Sequence, residues 1–171
     1  MLDKNAVAKS FSRAAQTYDD VAVLQRDVGQ KLLAMIPSRA YRHVVDLGCG
    51  TGHFIEPLLE HTSAISLSAL DIAPGMLAKA KQTTRNPRVN FCCADAEHLP
   101  FDDNSTDLIF ANLVLQWCPR LHDVFREVHR VLAPGGQLFF STFGPASLAE
   151  LRAAWADVDN YVHVNRFDSM A

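Results

Sequence analysis

Residues 44–54, VVDLGCGTGHF, join an apolar run to three glycines set two apart: Gly48, Gly50 and Gly52. A run apolar on both alternate faces fits a strand covered on both sides. Glycines directly after it allow positive φ and bare backbone where a strand hands over to a helix. The segments that follow keep the same rhythm. HFIEPLLEH reads as a helix, AISLSALD as a strand, and PGMLAKAKQ as a helix with its proline at a permitted first-turn position. RVNFCCAD is a third strand, DLIFANLVL contains a fourth, and GQLFFSTF after the PGG turn is a fifth. Between the last two lies LHDVFREVHRVL, a helix expected to bury Leu121, Val124, Phe125, Val128, Val131 and Leu132. Alternation at this spacing implies right-handed crossovers and an α/β, doubly wound, mostly parallel sheet. Ahead of it, Val7, Phe11 and Ala14 share one helical face, and Val21, Leu24, Val28, Leu32 and Met35 repeat at three and four, which predicts two amphipathic helices. Pro37 ends that region, so residues 1–36 read as an N-terminal helical segment and residues 37–171 as the sheet domain.

The chain's 171 residues are enough for one domain with a real core. An apolar share of 49% against 20% charged excludes a disordered chain. A formal charge of −3 gives no reason to expect a nucleic-acid face. No apolar run approaches the length that spans a membrane, and the first residues carry no secretory block, so a cytoplasmic protein is expected. Cys49, Cys92, Cys93 and Cys118 form no CxxC pair and read as reduced thiols; neither they nor the histidines suggest a metal site.

In doubly wound sheets the first strand-to-helix turn lies at the ligand crevice, and the following helix offers free N–H groups to an anion. Glycine also serves tight turns for steric reasons alone, so the turn is weak evidence by itself. Carboxylates and an amide accompany it. Asp71 ends the second strand about 20 residues on, where an acidic side chain can accept both hydroxyls of a ribose. Asp95 ends the third strand and Asn112 the fourth. Each suits a turn or a cap equally well; together they outline a pocket rim. The GxGxG spacing differs from the dinucleotide GxGxxG, and no GK[ST] follows. The residue types fit a ligand with a carboxylate, an ammonium group, a ribose and an adenine but no phosphate, such as S-adenosyl-L-methionine. In that reading its carboxylate meets the Gly48–Gly52 backbone, its ammonium Asp46 and its ribose Asp71. Its adenine lies beside Asp95 and Ala96, between Ile72 and Leu99.

VVDLGCGTG, LDIAPGML, CADAEHLPF and VLAPGGQLFFSTF resemble the successive motifs of class I S-adenosylmethionine-dependent methyltransferases, from about residue 40 to 145. The resemblance implies a Rossmann-like fold and adds Met76 of LDIAPGML to the cofactor residues. AVAKSFSRAAQTYDDVAVLQRDVGQKLL, LVLQWC and HVNRF further resemble the malonyl-acyl-carrier-protein O-methyltransferases of biotin synthesis. That likeness implies methyl transfer to the free carboxylate of a malonyl thioester, on carrier protein or on CoA. It nominates Tyr18 and Arg166 for substrate handling, and Gln116 and Trp117 for the pocket after the fourth strand. Arg120, Arg126 and Arg130, on one predicted helix, suggest a basic face for an acidic carrier protein.

Two departures stand out. Cys93 replaces a glycine common in relatives, and the family's last strands have no counterpart after FSTF. The fifth strand is therefore expected as a bare apolar sheet edge, open to pairing with a second copy of the chain. A methyltransferase and a cofactor-binding partner subunit are the two readings; a nicotinamide dehydrogenase fits the glycine spacing less well.

Overall fold

A computed structural model describes residues 3–158 of the chain. Residues up to Ser141 belong to one compact unit, and those from Thr142 to a second.

The first unit holds five strands: β1 (His43–Leu47), β2 (Ser66–Asp71), β3 (Val89–Cys93), β4 (Thr106–Asn112) and β5 (Leu132–Ser141). They pair side by side in the order β3-β2-β1-β4-β5, every pair parallel. β1, β2 and β4 are the buried inner strands, which is why their sequences are apolar on both faces. Alternation then feeds two cores. Val44, Leu67, Ala69, Leu108 and Phe110 face helices α3 (Val23–Ala34), α4 (Ile55–Thr62) and α5 (Pro74–Thr83) through Leu32, Leu33, Ile55, Leu58, Leu59, Leu77 and Ala80. Val45, Leu47, Leu70, Ile109 and Ala111 face α6 (Leu121–Val131) through Val124, Val128 and Val131. Because the order reverses between β1 and β4, the crevice beyond their C-terminal ends is where such a sheet takes a ligand.

Ahead of the sheet stand α1 (Lys4–Ala14) and the short α2 (Tyr18–Val21). Asp3 caps α1 by accepting the N–H groups of Asn5 and Ala6. The face expected for the second amphipathic helix needs correction in part: Leu32 is buried and Val28 half-buried, but Val21, Leu24 and Met35 are exposed, and Gly29 and Leu33 are buried instead. The chain breaks at Ala22 between α2 and α3, so the repeat counted from Val21 loses its phase. Gly29 sets the new one, since a Cβ there would lie 2.2 Å from the Phe54 ring and 2.8 Å from Asn112 Nδ2. On α6, Phe125 is likewise exposed and only edges onto Phe140, while Leu132 opens β5.

That strand begins earlier than the sequence suggests. It absorbs the PGG turn through a register shift opposite Thr106–Leu108, with Gly135 at φ 80°. β5 pairs with β4 and with no further strand among the described residues, and its apolar residues 138–140 are only half-buried. In the second unit, α7 (Ala149–Ala156) follows Leu148, which is at φ 57°, and Arg152 donates to the carbonyls of Ser147 and Pro145.

Candidate functional site

The three glycines of the turn do different work. Gly48, at φ 73°, and Cys49 both donate their N–H to the carbonyl of Leu70 at 2.8 Å, which locks the turn to the end of β2. A Cβ on Gly48 would sit 2.2 Å from Val114 Cγ2, and one on Gly52 3.0 Å from Ala80. Those two glycines allow close packing. Gly50, at φ 55°, has nothing within 4 Å of where a Cβ would lie. Its bare face fronts open space, as a ligand cradle requires.

Asp71 ties this turn to the next one. Its Oδ2 accepts the Gly50 N–H at 2.9 Å and its Oδ1 accepts the Ala73 N–H at 2.8 Å. Burial pushes its carboxyl above the usual carboxylate range, against the pull of those backbone donors. Asp46, one strand over, is only 3% exposed, and its Oδ2 is buried with no hydrogen-bond partner. Burial, then the neighbouring Asp71 charge, pushes its carboxyl up to about 8. A buried acceptor without a donor is costly.

The N-terminal helices close over this edge by polar links. Lys4 Nζ reaches Asp95 Oδ2 at 2.6 Å and Glu97 Oε2 at 2.5 Å. Glu97 is fully buried and also takes Arg120 Nε at 2.7 Å. Ser12 Oγ accepts the Gly75 N–H at 3.1 Å, where α1 crosses α5 with no room for a Cβ. Phe11 stands edge-on to both Tyr18 and Trp117. Thr51 of the glycine turn donates to Asp19 Oδ1 at 2.8 Å, and Arg26 Nη2 donates to the Asp19 carbonyl at 2.5 Å.

The residues singled out in the sequence fall into three groups. Asp46, Gly48, Gly50, Gly52 and Asp71 converge on the turn, with Ile72 half-buried at the next one. Tyr18 comes to the same place from the helical segment: its phenol is pushed up by burial, then by the charges of Asp71 and Asp19. Others are engaged in packing or internal bonds. Met76 is 1% exposed and sits with Ala15 and Ala73 under Phe11 and Tyr18. Ala96 and Leu99 are in the core against β1 and α6. Asn112 donates to the Gln25 carbonyl and accepts from Ser141, so its side chain fastens α3 to the sheet. Asp95 is held by Lys4 and by the Glu97 N–H. Gln116 donates to the carbonyl of Leu113, a leucine at φ 53°. Arg166 lies outside the described residues.

The three arginines suggested as a basic face for a carrier protein each pair with carboxylates of this chain, and Arg120 and Arg126 remain more than half exposed. Arg120 and Arg126 pair with Asp123, Arg120 also with Glu97, and Arg130 binds Glu127, Asp103 and the carbonyls of Leu99 and Phe101. Five residues of the polar links were given no role in the sequence: Lys4 lies outside every quoted motif, Asp19 and Arg26 stand within AVAKSFSRAAQTYDDVAVLQRDVGQKLL, Thr51 within VVDLGCGTG and Glu97 within CADAEHLPF.

A parallel sheet with a glycine turn at its switch point, and the buried Asp46 and half-buried Asp71 beside that turn, defines a doubly wound domain. The methyltransferase domain family matches residues 45–140. The chain belongs to that family. It is 50% identical over 97% of its length to the biotin biosynthesis bifunctional protein BioHC of Cellvibrio japonicus, covering 33% of that protein. It is 44% identical over 97% of its length to the malonyl-[acyl-carrier protein] O-methyltransferase of Halorhodospira halophila, covering 57% of it. Among solved structures it is similar to an S-adenosylmethionine-dependent methyltransferase from Mesorhizobium loti, with 35% identity, a TM-score of 0.63, and coverage of 70% of this chain and 55% of that one. The chain thus spans between a third and three-fifths of the curated relatives described here.

Proposed function

We propose that the chain binds S-adenosyl-L-methionine and forms the donor half of an O-methyltransferase that acts on the free carboxylate of a malonyl thioester. The observation that carries the reading is the orphaned Asp46 Oδ2 beside the open face of Gly50. The residues present fit the cofactor: Asp46 supplies an acceptor for its ammonium, the turn supplies bare backbone, and Asp71 supplies a carboxylate for its ribose. Bound, the cofactor supplies an activated methyl group. A malonyl carboxylate is already ionised near neutral pH, so the protein has little proton transfer to perform; its work is alignment and exclusion of water. Phe11, Tyr18 and Trp117 form the aromatic cover suited to that exclusion. The malonyl-acyl-carrier-protein acceptor rests on the relatives' names, and malonyl-CoA is its smaller analogue.

A second reading, a cofactor-binding subunit that pairs with another copy through β5, is favoured by that strand's having a partner on one side only among the described residues. Calorimetric titration with S-adenosylhomocysteine, alongside methyl transfer to malonyl carrier protein and malonyl-CoA, separates the readings. Binding with transfer supports the enzyme, and binding without transfer supports the subunit. No binding by the folded chain refutes both. A monomer by light scattering at micromolar concentration removes the β5 pairing.

A further inference from the structure

Charge is spread unevenly along the first unit. α1 carries Lys4, Lys9 and Arg13 and no carboxylate. Between Asp71 and Asp95 the chain carries Lys79, Lys81, Arg85 and Arg88, again without a carboxylate. The formal charge of the whole chain is −3, so the rest of it is acidic.

The fold brings these two basic stretches together. α1 crosses α5 where Ser12 Oγ accepts the Gly75 N–H, with the Ser12 backbone too close for a Cβ on Gly75. Lys9 and Arg13 are exposed and four residues apart, so they stand one turn apart along one side of α1. On α5, Met76, Leu77 and Ala80 are buried, and Lys81 is exposed with its ammonium over the Phe91 ring. Lys79, half-buried, is one turn on from Gly75, on the side of α5 that meets α1.

Among the described residues, Lys9, Arg13, Lys79 and Lys81 pair with no carboxylate, whereas Lys4 is held by Asp95 and Glu97. The arginines of α6 differ in this respect: Arg120, Arg126 and Arg130 each have a carboxylate at hand, which cancels much of their field close to its source. The field of the α1 and α5 cations extends into solvent uncancelled. Like charges at i,i+4 also cost a helix a little stability, so Lys9 and Arg13 do not serve the folding of α1. A partner of opposite sign accounts for them.

The basic face lies beside the site. Phe11, between Lys9 and Arg13 in the sequence of α1, stands edge-on to Tyr18 and Trp117 of the aromatic cover. α5 begins at Pro74, directly after the turn in which Asp71 holds the Gly50 and Ala73 N–H groups. Arg88, beyond the other end of α5, is turned onto the Ala64 carbonyl and Asn86.

We infer that the outer side of α1 and α5, with Lys9, Arg13, Lys79 and Lys81, is the docking surface for an acidic carrier protein that brings the methyl acceptor. The inference rests on the methyltransferase reading above, in which the acceptor is a carrier-bound thioester, and names the surface that meets the carrier. Exposed cations of this kind raise the rate of encounter and set its orientation, and salt screens them.

The test is binding of malonyl-loaded acyl carrier protein, read by calorimetry at low and high salt, with S-adenosylhomocysteine titrated into the same preparations. Wild type binds the carrier protein, less tightly as salt rises. Lys9→Glu with Arg13→Glu weakens that binding about 10-fold at low salt, Lys79→Glu about 3-fold, and both flatten the salt dependence. Affinity for S-adenosylhomocysteine stays at the wild-type value in both. Arg126→Glu on α6 leaves carrier binding unchanged. A loss in Arg126→Glu equal to those on α1 and α5, or no loss in the α1 and α5 variants, overturns the assignment. If the α1 double variant also loses S-adenosylhomocysteine through a displaced helix, Lys79→Glu decides on the same criterion. Duplex DNA and phosphatidylglycerol vesicles are titrated in parallel. Wild type that binds S-adenosylhomocysteine but not the carrier protein overturns the docking surface and leaves the methyltransferase reading standing, and binding of DNA or vesicles in its place gives the face to that partner. A folded chain that binds neither S-adenosylhomocysteine nor the carrier protein refutes the methyltransferase reading, and the docking role with it.

Discussion

Asp46→Asn should stabilise the ligand-free chain near neutral pH while weakening its hold on the cofactor. In the unfolded chain the carboxyl ionises near its ordinary value of 3.8, and in the folded chain it stays protonated up to about 8. Between those values the folded state binds a proton that the unfolded state has lost, so stability falls as pH rises. The stability present at low pH is lost progressively across that window, and above it both states are ionised and the dependence ends. Each pH unit inside the window is worth about 1.4 kcal/mol per proton, so moving from pH 5 to pH 7 costs up to about 2.7 kcal/mol through this group. Asparagine keeps the shape and cannot ionise. The difference in unfolding free energy between Asp46→Asn and wild type should therefore widen over that interval, with other titrating groups cancelling. Urea unfolding of both proteins at pH 5, 6, 7 and 8 measures it. A difference that stays flat with pH would refute the claim that Asp46 is held neutral in the empty fold. The same reasoning gives a binding signature: the cofactor's ammonium favours the ionised form, so titrations near pH 7 should release a proton in wild type and none from this position in the variant.

Other substitutions separate the site from its scaffold. Gly50→Ala meets no atom but puts a side chain at positive φ, a strain of roughly 1–2 kcal/mol, and fills the cradle; it should unfold at only modestly lower urea yet lose cofactor affinity. Gly48→Ala adds a clash with Val114 costing roughly a further 1–3 kcal/mol, so its main loss should be in unfolding free energy. Equal behaviour of the two alanines would contradict the division of roles. Lys4→Met leaves the buried Glu97 still paired with Arg120, so stability should fall by about 1 kcal/mol or less while hydrogen exchange in α1 quickens. Unchanged exchange there would mean that the ion pair does not fasten the helix. Arg130→Met strips the carbonyls of Leu99 and Phe101 of this donor and leaves the Glu127 carboxylate with the Leu99 N–H alone, and should cost about 2–3 kcal/mol in urea unfolding. A loss within error would place those groups in water instead.

The sheet was legible because β1, β2 and β4 are buried on both faces, and no other element produces short apolar runs between turn residues at that spacing. The glycine turn and its carboxylates were legible for a related reason: Asp46 and Asp71 are charges set in strands that otherwise exclude them. The face of α3 was not, since it depends on how closely Gly29 approaches Phe54, a tertiary fit that no periodicity encodes. Asn112 was read at the right strand end but not in its bond, because the partner is a backbone carbonyl 87 residues away in the chain. Lys4 and Arg26 were invisible as well. A charged residue on an amphipathic helix has the same signature whether it faces water or a buried carboxylate.

That invisibility follows from how the N-terminal segment is attached. α1 buries none of its residues fully, so apolar burial does not decide where it sits. Its position comes from Lys4 on Asp95 and Glu97, Ser12 on Gly75, and Phe11 between Tyr18 and Trp117. Links of this kind, few and partly hydrated, are each worth little and open locally at low cost. The sheet and its turn, by contrast, are locked by burial on both faces. The chain thus joins a sheet and turn fixed by burial to an N-terminal segment fastened by a few polar and aromatic links.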